Sequence, residues 1–399
     1  MNILIFNCGS SSQGFKLYQK EYGTTPILVA AGKARNVATK TRADSCLDWT
    51  AGSQKGSVNV ELPSHREAAR QILALLRKSN LSVDAIGHRF VHGGDVFQHT
   101  TRIDKAVLAG LKGCFPLAPI HNPNSYSVIE VCRELLPDAA QFAVFDTAFH
   151  ANMPAESRQY ALPRELVQEN GYRKYGFHGL SYQYVSARTA EYLGRPLEEL
   201  KLILCHLGTG GSSVTAMKDG RSMDSSMGYS PLPGLVMSTR CGDLDPEIVL
   251  EMIRRGSSVD DVEFILNNQS GLIGLSGYSS NLEEVIAEGE KGNEDCRLAF
   301  DVYAHRLQLY LGAFFWLLND ADAIVFTDDV GLKSWKLREK VCRGVENLGI
   351  LLDADANRLA LPDQITCFSS PASRTRLLTV PTDEEQVILQ EVLSQLEQA

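Results

Sequence analysis

Residues 202–217 run Leu-Ile-Leu-Cys-His-Leu-Gly-Thr-Gly-Gly-Ser-Ser-Val-Thr-Ala-Met, which reads as an apolar strand, a glycine-rich turn and a second strand. Gly208, Gly210 and Gly211 let backbone N–H groups approach an anion, and Ser212 and Ser213 add hydroxyl donors. Alone, such a hairpin is only a turn. A related pattern opens the chain, Ile-Leu-Ile-Phe-Asn-Cys-Gly-Ser-Ser-Ser over residues 3–12, followed by Phe15-Lys16-Leu17-Tyr18. Two strand, phosphate-type turn, strand units about 200 residues apart predict two similar domains facing one cleft.

A chain of 399 residues is too long for one ordinary core. Its 44% hydrophobic and 22% charged residues are those of a soluble globular protein. The net charge of −9 and the lack of a long basic run argue against nucleic-acid binding, so an anionic substrate must meet locally placed arginines and histidines. Nine cysteines without a C-x-x-C pair suit reduced thiols in a cytoplasmic protein, with Cys205, Cys241 and Cys342 as small buried hydrophobes. Neither a signal peptide nor a membrane span is expected.

Short apolar runs at 2–7, 14–19, 26–31, 57–62 and 85–91 read as strands of one mixed sheet. Ser64 caps a helix burying Ala68, Ile72, Leu75 and Leu76. A helix at 125–136 follows, and a strand at 141–146 puts Asp146 at a strand C-terminus, where open α/β sheets bind ligands. The second half repeats the theme with strands near 158–162, 202–206 and 211–217, a helix capped at Asp245-Pro246, a long helix at 293–319, a strand at 323–327 and a final helix at 383–397. The long helix suits a core or a dimer interface.

Polar clusters interrupt this pattern at Gly87-His88-Arg89, Ala118-Pro119-Ile120-His121-Asn122-Pro123, Tyr175-Gly176-Phe177-His178-Gly179 and Thr239-Arg240. Each has a structural reading by itself, such as an arginine paired in the core. Together with Asp146 and the two turns they form a set suited to phosphoryl transfer, which needs cationic groups on the equatorial oxygens, a bridging metal and in-line positioning. Hydride transfer would want a G-x-G-x-x-G loop opening a helix, whereas the turn at 208–211 opens a strand. A serine hydrolase would want Gly-x-Ser-x-Gly, which is missing.

The clusters, with Asn7-Cys8-Gly9-Ser10-Ser11-Ser12, Phe145-Asp146-Thr147-Ala148-Phe149-His150, His206-Leu207-Gly208 and Gly242-Asp243-Leu244-Asp245-Pro246, resemble the acetate kinase family nearly end to end. That resemblance implies an α/β fold of two ribonuclease-H-like domains around a central cleft, as in the sugar kinase, heat-shock ATPase and actin superfamily, divided as 1–149 with 381–399, and 150–380. It implies phosphoryl transfer between a donor and acetate, with Arg89 and Arg240 on the carboxylate and the phosphoryl group. His178 would bond the phosphoryl, and Asp146 would orient acetate or the metal shell. Asn7 and Glu384 would help place Mg²⁺ or Mn²⁺. Val91, Ile120, Phe177 and Pro231 would form the small pocket for the acetate methyl. Ser10, Ser11, Ser12, Lys16, His121, His206, Gly208, Thr209, Gly210 and Gly211 would meet the phosphates, and a homodimer through the second domain is implied.

The departures from the family pattern gather on the donor side. Asp328, Asp329, Val330, Leu332 and Lys333 occupy the usual Gly-Ile-Gly-Glu-Asn region, with Asp329 in place of a glycine. Asn281 and Glu283 stand for aspartate and arginine, and Thr209 for asparagine. This pattern is similar to acetate kinases that use pyrophosphate, because a filled adenosine pocket still admits pyrophosphate. The alternatives are an ATP-dependent enzyme with an altered adenine loop and a catalytically weak binding or regulatory relative.

Overall fold

The computed structural model describes residues 1–39 and 45–398. The chain divides into two compact units, Met1–Ala148 with Asp383–Ala399, and Phe149–Thr382.

In the first unit the strands are β1 (Asn2–Cys8), β2 (Ser12–Gln19), β3 (Ile27–Arg35), β4 (Cys46–Ala51), β5 (Gln54–Asn59), β6 (Ala85–Phe90), β7 (Thr101–Arg102) and β8 (Ala140–Phe145). They form one sheet in the order β5-β4-β3-β2-β1-β6-β8-β7. β1, β6 and β8 are parallel, and β2 to β5 extend the sheet as antiparallel neighbours. Ile3 to Phe6 are wholly buried, as expected of a central strand covered on both faces. Helices α1 (His65–Lys78) and α2 (Asn122–Leu135) cover one core, which joins Ile72 and Leu76 to Val128, Val131 and the β1 side chains Leu4 and Phe6.

The second unit holds β9 (Leu202–Leu207), β10 (Ser212–Lys218), β11 (Arg221–Ser225), β12 (Ala323–Thr327), β13 (Thr366–Cys367) and β14 (Arg376–Thr379). Their order is β11-β10-β9-β12-β14-β13. Both sheets therefore contain the same five-strand pattern. A three-strand antiparallel meander is continued by two parallel strands added beside its first strand, which is the ribonuclease-H-like topology. The likeness extends to the first turn of each unit: Gly9 N donates to Ser12 O at 2.9 Å, and Gly208 N to Gly211 O at 3.1 Å.

Ser64 accepts from Glu67 N as the cap of α1, with Leu73 fully inside and Leu75 only partly so. Several expected elements move. The helix expected from 125 starts at Asn122, because Pro123 fits the first turn, where its missing N–H goes unneeded. The strand expected at 57–62 is shifted to β5, and its partner β4 was not foreseen. Instead of a strand at 158–162 there is a helical turn, Ala155–Arg158, and one isolated bridge from Gln159 to Arg173. Pro154 and Pro163 bracket this stretch and favour short turns over a ladder. Helix α4 (Glu294–Leu318), capped by Asn293, buries Tyr303, Leu307, Leu311 and Phe314 in the core of its unit. No helix among the described residues is long and apolar enough to cross a membrane.

Helix α6 (Glu384–Glu397; α5 is introduced below) returns to the first unit and lies against β6. A Cβ on Gly87 would stand 2.6 Å from Ile388 Cγ2 and 2.8 Å from Val392 Cγ2. The helix can approach that strand only where no side chain intervenes. Gly87→Val should therefore lower the unfolding free energy by about 1–3 kcal/mol, the usual cost of overpacking, in a urea titration.

Candidate active site

Parallel strands β1, β6 and β8 bring Asn7, Arg89 and Asp146 to one end of the first sheet, with Asp146 opening the helical turn after β8. Arg89 donates through Nε to Asp146 Oδ1 (3.0 Å) and through Nη2 to Oδ2 (2.6 Å). Its Nη1 donates to Asn7 Oδ1 at 3.0 Å and lies 3.3 Å from Glu384 Oε2. Asn7 Nδ2 in turn donates to Glu384 Oε2 (3.1 Å) and Glu385 Oε1 (3.0 Å). Both glutamates sit in the first turn of α6, where the helix dipole favours negative charge, and Asp383 caps that helix while accepting from Lys16 Nζ at 2.8 Å.

Burial would lower the Arg89 pKa, but Asp146 and Glu384 outweigh it and raise it. Glu385 is raised, first by burial and then by its acidic neighbours, against the pull of Lys16. Burial holds His88, beside Arg89, down to about 4, so it stays neutral while bonding Gln141. Burial also pushes the Cys8 thiol up to about 12, which makes it an inert core thiol.

Four carboxylates (Asp146, Asp383, Glu384, Glu385) face two cations (Lys16, Arg89) in this cluster. Among the described residues no group of three or more His, Cys, Asp or Glu is arranged to hold a metal by itself. The oxygen-rich, acid-surplus set around Asn7, Glu384 and Glu385 fits Mg²⁺, which binds through one or two carboxylates, waters and substrate phosphate rather than in an all-protein cage.

In the second unit, β9 ends at Leu207 and the turn 208–211 leads into β10, placing His206 opposite Ser213. His178 caps helix α3 (Gly179–Leu193) in a left-handed conformation, φ +59°. Its ring stacks on His206 with centroids 4.1 Å apart, and its Nδ1 is 2.8 Å from Ser213 Oγ. His206 bonds Ser181 Oγ through Nδ1 (2.9 Å) and meets Asp328 Oδ2 through Nε2 (3.1 Å). Asp328 opens α5 (Asp328–Lys333), directly after β12.

Arg240 is the exception among these charged groups. Its guanidinium has no carboxylate partner among the described residues; Met237 Sδ, 3.9 Å from Nη1, is its side-chain contact, and burial lowers its pKa. The loop carrying it is pinned by Cys241 N to Leu266 O and Ser270 N to Thr239 O, both 3.1 Å. Gly271, φ +63°, allows the close approach, since a Cβ there would meet Met237 O at 2.2 Å. A Cβ on Gly211 would lie 3.3 Å from Arg240 Nη1 and 3.4 Å from His178 Nε2, so both donors reach the same face of the turn.

Asn7, Arg89, Asp146, Glu384 and Lys16 thus gather in one unit, and His178, His206, Arg240 and 208–211 in the other. Ser10 and Ser11 are exposed, Ser12 is half-buried in β2, and His121 precedes α2. Val91 and Phe177 are buried, Ile120 is 58% exposed and Pro231 half-buried. Of the donor-side departures, Asn281 caps the helix Leu282–Glu290, with Glu283 in its first turn. Asp329 pairs with Lys333 at 3.0 Å and stands 3.5 Å from Thr209 Oγ1, while Val330 packs on the core. Cys205 and Cys342 are buried, but Cys241 is half-exposed, because it sits in the Arg240 loop rather than in a sheet or helix core. Glu385, Asp383, Ser181 and Tyr182 escaped the sequence reading, and Ser213, read there as a donor to the phosphate turn, instead bonds His178 Nδ1; of the missed residues only the acidic run 383–385 at a helix start carried a legible signal.

Paired ribonuclease-H-like units, each opening on a strand, glycine-containing turn, strand, define the sugar kinase, heat-shock ATPase and actin superfamily. Residues 2–390 match the Acetokinase family. An acetate kinase of Dictyoglomus turgidum is 41% identical over 402 residues, covering 98% of this chain and 97% of its own. The crystal structure of acetate kinase from Entamoeba histolytica superposes with a TM-score of 0.89 at 39% identity, covering 99% of both chains. A propionate kinase from Francisella tularensis gives 0.88 at 35% identity over 98% of both. The chain belongs to the Acetokinase family.

A Cβ on Gly208 would fall 2.1 Å from Asp328 Oδ2. Gly208→Ala should thus displace Asp328 from His206 and cost about 1–3 kcal/mol, and adding Asp328→Ala should recover part of that loss. Chemical denaturation of the two single variants and the double variant reads the coupling.

Proposed function

We propose that the protein is an acetate kinase, transferring a phosphoryl group reversibly between acetyl phosphate and a donor, with pyrophosphate as the donor. The observation that carries the transfer reading is the half-buried Arg240, which has no carboxylate partner among the described residues and is aimed with His178 at the bare turn beside Gly211. A guanidinium in that setting awaits an anion, and a phosphoryl group in flight spreads its charge over oxygens that such donors match. Acetate oxygen attacks the terminal phosphorus in line, the P–O bond to the leaving phosphate breaks, and acetyl phosphate forms with phosphate released.

Arg240 and His178 stabilise the transferring group. Arg89, held by Asp146, meets the acetate carboxylate, which makes Asp146 the group that fixes the guanidinium plane. Val91, Ile120, Phe177 and Pro231 receive the methyl group. A divalent ion held by Glu384, Glu385 and Asn7 would neutralise the donor phosphates. Pyrophosphate as donor is supported by the acidic start of α5, where Asp328 and Asp329 place two carboxylates by the turn. Exposed Leu309, Trp316 and Leu317 on α4 support a homodimer through this unit.

With acetyl phosphate, Mg²⁺ and phosphate, the enzyme should release pyrophosphate. ATP formed from ADP alone would overturn the donor reading, and no turnover with either acceptor would overturn the kinase reading. Arg240→Ala should lower kcat by about 10²–10³-fold, with Arg240→Lys restoring little because an ammonium lacks the planar fork.

A further inference from the structure

Beneath the His178 ring lies a buried hydroxyl pair that the transfer chemistry does not itself use. We infer that Tyr182 is a positioning residue that acts through Ser213 to fix His178 as an Nε2–H donor facing the phosphate turn. The inference rests on the reading that His178 meets the transferring phosphoryl group.

Ser213 Oγ lies 2.5 Å from the Tyr182 hydroxyl and 2.8 Å from His178 Nδ1, and both Ser213 and Tyr182 are wholly buried. Burial pushes the Tyr182 pKa far up, so its hydroxyl keeps its proton. Among the described residues the other hydrogen-bonding group facing that hydroxyl is the His206 backbone N–H, itself a donor. Ser213 Oγ is therefore the acceptor left for the Tyr182 proton. Reversing the chain, with His178 donating to Ser213 and Ser213 to Tyr182, would strand a buried O–H without an acceptor, a costly arrangement.

With Tyr182 donating to Ser213, the Ser213 proton points to Nδ1, and a neutral imidazole accepting there carries its own proton on Nε2. That nitrogen is the one 3.4 Å from the Cβ position of Gly211, beside Arg240 Nη1. Two N–H donors then converge at the bare turn, whereas the other tautomer would turn a lone pair toward an anion. The second histidine is set in the same way: Asp328 can only accept from Nε2, which leaves Nδ1 to accept from Ser181. The stacked rings hold both tautomers in register, and His178 is further fixed by the Tyr182 N to His178 O bond at 3.0 Å.

The test uses the full chain labelled with ¹⁵N-histidine, with the His178 signals identified by their loss in His178→Gln. Without substrate, at a pH where the ring is neutral, His178 should show a protonated Nε2 and an unprotonated Nδ1. Tyr182→Phe should shift the signals toward a tautomer mixture and lower kcat about ten-fold, with KM for acetate within two-fold. Ser213→Ala should do so more strongly, and Ser213→Thr, which keeps the hydroxyl, should restore the parent tautomer. A parent spectrum with the proton on Nδ1 would overturn the inference, as would a Tyr182→Phe protein with parental signals and kcat. Because the tautomer is read in the resting protein, absence of acetyl phosphate turnover would sink the proposed function without touching this result.

Discussion

Arg240 keeps a positive charge in a half-buried site with no carboxylate among the described residues to meet it, and the second unit is arranged around that fact. A buried unpaired charge is unfavourable unless something else is recovered, and the structure shows what holds it in place. The backbone of 237–241 is tied to 266–272 by several hydrogen bonds, and Gly242 and Gly271 adopt left-handed conformations that a side chain would oppose. These ties fix the main chain from which the guanidinium extends. Arg89 is the opposite case, since Asp146 and Glu384 neutralise it and Asn7 fills out its donor set. Asp146 thus holds Arg89 in place, whereas Arg240 has no carboxylate partner among the described residues.

The same five-strand pattern supports these opposite solutions because the topology fixes positions rather than chemistry. In both units the first strand runs centrally, its C-terminal end turns back through a backbone bond from residue i to i+3, and the next strand begins at once. In the first unit the N-terminus of α6 supplies carboxylates beside β1, giving an acid surplus suited to a divalent cation. In the second, the N-terminus of α3 supplies His178 and the 237–241 loop supplies Arg240 beside β9. An acid surplus and a cation-and-imidazole pair are chemically complementary settings, and duplicated scaffolds let each be built separately.

Most of this was legible where the chemistry is local in sequence. The central strands β1 and β9 are uninterrupted apolar runs, and the turns after them carry glycine and serine, so both hairpins could be read directly. The Ser64 and Asp245 caps were likewise visible because capping acts over three residues or so. What escaped was set by distance along the chain. β4 alternates weakly and is mostly half-buried, and β5 is mostly exposed, so their pairing depends on β3 rather than on their own pattern. The run 158–162 looked like a strand from its residue types, but the flanking prolines leave it no partner beyond one bridge. Within the site, Arg89, Asp146, His178 and Arg240 stood out as charged residues in apolar settings. Tyr182 did not, and Ser213 stood out only as a donor at the turn, since a tyrosine in a helix and a serine in a strand show no tie to a histidine 4 and 35 residues away until the chain folds.

Asp328 shows how one residue can carry two readings with different physical weight. In the sequence it is an acidic departure near the donor turn, and its charge there bears on which phosphate compound can approach. In the structure its carboxylate is bound to His206 Nε2, its backbone is left-handed at φ +62°, and Gly208 must lack a side chain to make room for it. Aspartate tolerates that conformation better than most residues, and the bond to His206 supplies a reason to adopt it. The acid is thus tied to the stacked histidines as firmly as it borders the turn. Any ligand that shifted Asp328 would also release His206 and, through the 4.1 Å stack, disturb His178. Asp328 is therefore coupled to both stacked histidines, and changes at one cannot be energetically independent of the other.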